Sequence, residues 1–227
     1  MNKKQTEQLN DAIYLLNLHY DAFSAVAGQA AKTGHPVPCD TRGWSQILIS
    51  LLTGIRGRSR EKGADLIDGS DVKAANTWEA IDTPRFNGCV KAGTRSRTAG
   101  RIESLDAQPY LFFVLWDQAP KTQLRRCRVW CVRTQRDRVF RRMAQNWYEK
   151  VGAREIVSTN FQLHPPRGKD TDEIRNKCGN LLYPLLLCAE RADAGYRVRH
   201  YAPAVLNSGE CRPSSSADLI FSPTNAY

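Results

Sequence analysis

No stretch of this sequence is apolar for long enough to cross a bilayer. The longest apolar run, Tyr110–Trp116, falls far short of the roughly 20 residues that a spanning helix needs. The first residues, MNKKQTEQLN, lack the apolar core of an export signal, so a cytoplasmic protein is expected. Paired cysteines are missing too. Seven cysteines, an odd number, stand at 39, 89, 127, 131, 178, 188 and 211, which suits a reduced compartment better than a disulfide framework. Cys127 and Cys131 are four apart, but there is no second close pair and both fall in a strand-like run, so they do not read as a zinc site. No internal repeat is visible. Lysine is scarce among the cations, with 10 lysines against 23 arginines.

What is present is a large positive balance. The net charge is +10 and the pI about 9.4, which calls for an anionic partner, nucleic acid first and an anionic membrane surface second. The arginine fork makes two-point contacts with phosphate and guanine edges, whereas lysine offers a point charge; a coding bias toward arginine is the plainer explanation. Hydrophobic residues at 41% and charged residues at 25% exclude wholesale disorder. A chain of 227 residues can bury a substantial core as one domain.

Helical spacing of Leu9, Ala12, Ile13, Leu16, Tyr20, Phe23 and Val26 predicts a helix over 5–31, and GWSQILISLLTG a second over 43–54. The cation-rich IRGRSREKG follows, then a segment, 64–75, that reads as a β-hairpin turning near Asp68-Gly69. PYLFFVLWD at 109–117 predicts a buried central strand, and CRVWCVRT at 127–134 its neighbour. DRVFRRMAQNWYEKVG predicts an amphipathic helix over 137–152. REIVSTNFQL predicts a short strand, and residues 171–193 predict helical patches broken by Gly179 and Pro184. The last thirty residues are Ser- and Pro-rich and are expected to be loosely ordered. Together these elements predict a mixed α/β or α+β domain.

The stretch ADLIDGSDVKAANTW carries the chemistry. Metal-assisted phosphodiester hydrolysis needs carboxylates converging on a hard cation, with a cation or base beside the attacking water. Asp71 and Lys73 are two apart on a strand and so share a face. Asp65 can join them only if the turn has three residues, Ile67-Asp68-Gly69, with Gly69 left-handed; a two-residue turn would put Asp65 on the wrong face. By composition about one of the ten lysines has an acid two places before it, so Asp-x-Lys alone carries nothing. The second acid, the apolar strand residues and the basic approach give it weight. A surface hairpin with solvated charges remains the alternative.

Ala64-Asp65 followed by Asp71-Val72-Lys73 resembles the PD-(D/E)xK nuclease motif, with alanine in the proline position. KGADLIDGSDVKAANTWEAIDTPRFN, PYLFFVLWD, RCRVWCVR, NFQLHPPRG and GNLLYP together look like type II restriction endonucleases over roughly residues 43–187, in the manner of the blunt-cutting ScaI- and MamI-like group. The resemblance implies a mixed central sheet flanked by helices, a homodimer on double-stranded DNA, and Mg2+ held by Asp65 and Asp71 with Lys73 as the catalytic lysine. The spacing between the acids is short for that superfamily. Glu61 and Asp68 are the nearby acids that could assist or replace Asp65, although Asp68 is more simply turn chemistry.

Base edges call for forked donors or amides, which Arg85 and Asn87 offer on TPRFNG, for guanine and adenine respectively. Arg95, Arg97 and Arg101 stand among small residues, in a loop suited to phosphate contacts. Arg56, Arg58 and Arg60 also suit phosphate. His164 and Arg167 sit on a loop stiffened by two prolines, suited either to groove reading or to a plain bend. His164 has no nucleophile in a recognisable setting, so no hydrolytic triad is indicated. Trp78, Trp116, Trp130 and Trp147 fall in apolar patterns and read as core.

The expectation is one endonuclease domain over 1–227: a helical part at 1–57, a catalytic and DNA-reading core at 58–187, and a C-terminal part at 188–227. A non-enzymatic basic DNA-binding module and a repair or structure-specific nuclease are the alternatives.

Overall fold

The computed structural model describes residues 1–33, 41–58, 63–78, 84–88, 102–118, 125–158, 160–166 and 171–215. Two helices come first, α1 (Lys3–Thr33) and α2 (Thr41–Thr53), followed by strands β1 (Asp71–Asn76), β2 (Leu111–Gln118) and β3 (Arg125–Val132). Helix α3 (Arg138–Gly152) leads to β4 (Glu173–Asn176), β5 (Gly179–Leu182), β6 (Leu185–Ala192) and β7 (Gly195–Tyr201). A one-turn α4 (Val205–Ser208) and β8 (Arg212–Pro213) complete the described chain.

The central sheet runs β1-β2-β3-β6-β7. Among the described residues β1 and β2 alone pair in parallel; the other pairs are antiparallel. β2 is buried along its whole length, which is why it reads as an unbroken apolar run. Side chains alternate across the sheet. Leu111, Phe113, Leu115, Trp130 and Val132 face the layer holding Phe140, Met143, Ala144, Trp147 and Tyr148 of α3. Phe112, Val114, Trp116, Cys127, Val129 and Cys131 face Leu9, Ala12 and Leu16 of α1 and Leu48, Ile49 and Leu52 of α2. Each Leu, Ile, Val, Phe and Met among them contributes about 1.5–3 kcal/mol by leaving water. This is the expected mixed sheet flanked by helices.

α3 starts at Asp137, whose carboxylate accepts from Phe140 N at 2.9 Å and Cys211 N at 2.7 Å, tying the helix to the chain before β8. On the other face His19 of α1 is fully buried, 4.2 Å from the Trp116 ring and 5.2 Å from that of Trp44. Burial pushes its imidazole down to about 4. Trp116, Trp130 and Trp147 are core residues, and Trp78 packs partly buried against the α1–α2 side.

Three sequence expectations differ from the fold. Residues 171–193 form strands β4, β5 and β6, not helical patches. A two-residue turn, Lys177-Cys178, joins β4 to β5 beside Gly179 at φ +133°, and Pro184 separates β5 from β6 while its carbonyl accepts from Cys131 N. A short apolar run such as Leu185–Leu187 has no periodicity to tell strand from helix, and the buried sheet decided it. The described residues of REIVSTNFQL form no strand: among them Leu163 alone bridges, to Phe86, and His164 next to it pairs with Arg175. The C-terminal thirty are not structureless throughout, since β7 extends to Tyr201 at the sheet edge and α4 and β8 follow; residues 216–227 lie outside the described residues.

Candidate active site

The turn between Asp65 and Asp71 is the three-residue form. Leu66 O accepts from Gly69 N at 3.1 Å, and Leu66 N donates to Ser70 O at 3.1 Å. That leaves Ile67, Asp68 and Gly69 as the loop, with Gly69 at φ +97°. Asp68 is spent on the turn, its two oxygens accepting from Ser70 N and Ser70 Oγ, both at 2.9 Å. The two arms then part company, so the predicted hairpin is only its turn. The first arm bridges backward, Leu66 to Gly57, with Arg58 N donating to Asp65 O; the second, β1, takes β2 as its partner through Asp71 N and Tyr110 O at 3.1 Å.

Among the described residues β1 is an edge strand, and its Val72 N–H points away from β2. Asp65 Oδ2 accepts that N–H at 2.9 Å, which draws the carboxylate across to Asp71. The two carboxyls meet in a hydrogen bond. Asp71 is buried, and Lys73 Nζ lies 2.7 Å from its Oδ2. Burial first, then the bond to Asp71, pushes the Asp65 carboxyl up to about 6; the Val72 N–H and the Lys73 charge oppose this. Asp65, Asp71 and Lys73 are therefore brought together at one end of the sheet.

Two residues not anticipated from the sequence reach the same carboxylate. Gln46 Nε2 of α2 donates to Asp65 Oδ1 at 2.6 Å, and Arg42, one turn earlier, lies 3.9 Å from that oxygen. Their four-residue spacing puts them on one flank of the helix, beside the buried face of Leu48, Ile49 and Leu52, but nothing in the sequence ties that flank to residue 65.

Among the described residues no group of three or more His, Cys, Asp or Glu side chains forms a metal cage. The Asp65–Asp71 pair nonetheless suits a hard divalent cation. Its oxygens are of the right type, Mg2+ characteristically takes one or two carboxylates and fills its remaining positions with water and phosphate, and a cation would relieve two carboxyls forced together.

Residues 29–194 match the model of the MamI restriction endonuclease family. The chain belongs to that family. It is 36% identical over 166 residues to the type II restriction enzyme MamI of Microbacterium ammoniaphilum, a match covering 67% of this chain and 52% of that enzyme. The chain thus spans about half the length of this curated relative. No solved structure matches. The MamI-family region contains Gln46, Asp65, Asp71, Lys73 and strands β1 to β6, whereas β7, α4 and β8 follow it.

Within this family member the DNA-reading candidates divide by place. Arg85 and Asn87 flank Phe86, which pairs with Leu163 in both directions at 2.8 and 3.1 Å, while Gly88 N donates to Asn160 Oδ1. That docking puts Arg85 and Asn87 on the α3 side of the sheet, Arg85 across from half-buried His164 in the antiparallel register. Arg58 is exposed and its backbone is joined to Asp65, so it stands beside the carboxylates. Arg60, Glu61, Arg95, Arg97, Arg101 and Arg167 lie outside the described residues. No helix of the described residues is long and apolar enough to cross a membrane.

Proposed function

We propose that this chain is a type II restriction endonuclease that hydrolyses phosphodiester bonds in double-stranded DNA at a short palindromic site, with Mg2+. The observation that carries the reading is the Asp65–Asp71 carboxyl pair set against the Lys73 ammonium on an edge strand, in a chain of the MamI restriction endonuclease family. In this reading Asp65 and Asp71 hold the cation, with Glu61 as an acid that assists or replaces Asp65. When bound, Mg2+ would draw charge from the phosphate oxygens and favour attack by water near neutral pH.

Lys73 does the work the chain itself can do at the reacting bond. Its ammonium, fixed by Asp71, orients the attacking water and offsets negative charge gathering on the phosphate. Arg85 and Asn87, with His164 and Arg167, read base edges; Arg58, Arg60, Arg95, Arg97 and Arg101 hold phosphates and set the register. A homodimer, each subunit a single endonuclease domain cutting one strand, matches a palindromic site. The setting is cytoplasmic.

The test is incubation of the purified protein with plasmid and Mg2+, beside Lys73→Ala. Discrete fragments that vanish in Lys73→Ala are expected. Salt-sensitive binding without any cutting by the parent protein would overturn the reading in favour of a binding module. Cutting only at damaged or branched DNA would point to a repair nuclease instead.

A further inference from the structure

We infer that Gln46 is the positioning residue that holds the Asp65 carboxylate in its cation-binding orientation, an inference that rests on the proposed Mg2+ site. Asp65 sits outside any strand, held through its backbone by Ser70 O and Arg58 N. Its carboxylate would turn freely if only one oxygen were engaged. Both are engaged, Oδ2 by Val72 N at 2.9 Å and Oδ1 by Gln46 Nε2 at 2.6 Å. Two donors from different elements fix the plane of the group, and each oxygen keeps lone-pair capacity for a cation.

The donor arrives from a rigid support. Ser45, next to Gln46, is fully buried; its Oγ accepts from Trp116 Nε1 at 2.8 Å and donates to Thr41 O at 2.7 Å. Leu48, Ile49 and Leu52 anchor the following turn in the core. α2 is thus pinned to β2, the strand beside β1, and Gln46 carries that fixed frame to Asp65. Arg42 cannot do the same: at 3.9 Å, with its side chain 75% exposed, it makes a solvated ion pair with no fixed geometry. The choice of an amide also matters. It donates without adding a third negative charge to a pair of carboxyls already in contact.

Groups that orient a metal-binding side chain change metal affinity about 10- to 100-fold when removed. The full-length chain is titrated calorimetrically with Mn2+ alone, as the parent and as Gln46→Met, Gln46→Ala and Asp71→Asn. Methionine keeps the length of the side chain without the donor, and alanine keeps the helix should methionine not fold. Expected are a Mn2+ dissociation constant raised about tenfold in both Gln46 variants, duplex DNA affinity in EDTA unchanged, and a matching rise in the Mg2+ concentration for half-maximal cleavage. Mn2+ affinity within about twofold of the parent in a folded Gln46 variant, with Asp71→Asn defective, would overturn the inference and leave the site standing. Mn2+ binding that survives Asp71→Asn would remove the site itself, and the role of Gln46 with it.

Discussion

Replacing Lys73 by methionine removes one ammonium and keeps the apolar stem, which isolates what the charge does for the cation-free protein. Asp71 is 2% exposed and pairs with the Lys73 ammonium at 2.7 Å. Removing one member of a buried ion pair destabilises by about 3–5 kcal/mol, because the remaining charge has lost its compensation. The lower end applies here, since the Lys73 side chain retains 15% of its exposure and Asp65 can take up a proton to relieve Asp71. For a domain of this size about 3 kcal/mol corresponds to roughly 6–12 °C in Tm.

The proton adds a signature. Asp65 already titrates at about 6, and Lys73 is one of the influences holding it down, so Lys73→Met raises it further. A carboxyl whose folded pKa exceeds its unfolded value contributes stability that is full at low pH and lost as pH rises through the folded pKa. Lys73→Met should therefore go on losing stability above about pH 7, where the parent has largely finished titrating. Added Mn2+ should raise the Tm of the variant more than that of the parent, because it replaces the missing charge and no longer competes with an ammonium. Thermal unfolding followed by circular dichroism between pH 6 and 8, in EDTA and separately with Mn2+ in its place, makes the measurement. A variant within about 2 °C of the parent, with a flat pH profile, would mean that the ion pair does not balance the buried carboxylate.

Gly69→Ala should unfold about 1–3 kcal/mol more easily and weaken Mn2+ binding, because it forces a β-carbon into φ +97° and within 2.7 Å of the Ala107 carbonyl; unchanged Tm and metal affinity would contradict the turn geometry. Asp71→Ala should abolish cleavage while DNA affinity in EDTA holds or improves, since a negative charge leaves the phosphate's surroundings, and gel-shift and cleavage assays on one preparation decide it. His19, neutral in its aromatic box at about 4 against 6.5 when unfolded, stabilises the fold fully above pH 6.5 and loses up to about 3 kcal/mol as pH falls toward 4. Acid titration in Asp65→Asn, where the opposing carboxyl is gone, should show that loss, and His19→Gln should flatten it.

What was readable in advance was what the chain decides locally. Ile67-Asp68-Gly69 dictates its own turn, because Asp68 bonds two residues on and Gly69 supplies the left-handed step, so the approach of Asp65 to Asp71 rests on the seven residues 65–71. The regular spacing of α1, α2 and α3 and the unbroken apolar run of β2 were equally self-declaring. The misreadings came where the partner lies far along the chain. β1 looked like one arm of a hairpin, yet its hydrogen bonds go to a strand that starts at Leu111, because a buried apolar strand outcompetes a short arm holding only Asp65 and Leu66. Residues 171–193 looked helical because leucine suits both states, and only the vacant edge of β3 made β6 a strand.

The same distinction explains why Gln46 was missed and why it matters. A glutamine on the half-exposed face of an amphipathic helix carries no local mark of function, for such positions are usually just solvated. Its meaning arises from a contact 19 residues away, which exists only because Trp116, on β2, holds Ser45 and thereby α2. The carboxyl pair is written into a turn, but its orientation depends on the packing of a helix against the sheet. Loosening α2 should then weaken cation binding before it disturbs the turn: Ser45→Ala, which takes the acceptor from Trp116 Nε1, should lower Mn2+ affinity while the Asp65–Asp71 approach persists. Mn2+ affinity unchanged in a Ser45→Ala protein of lowered Tm would show that the carboxylate is oriented by the turn alone.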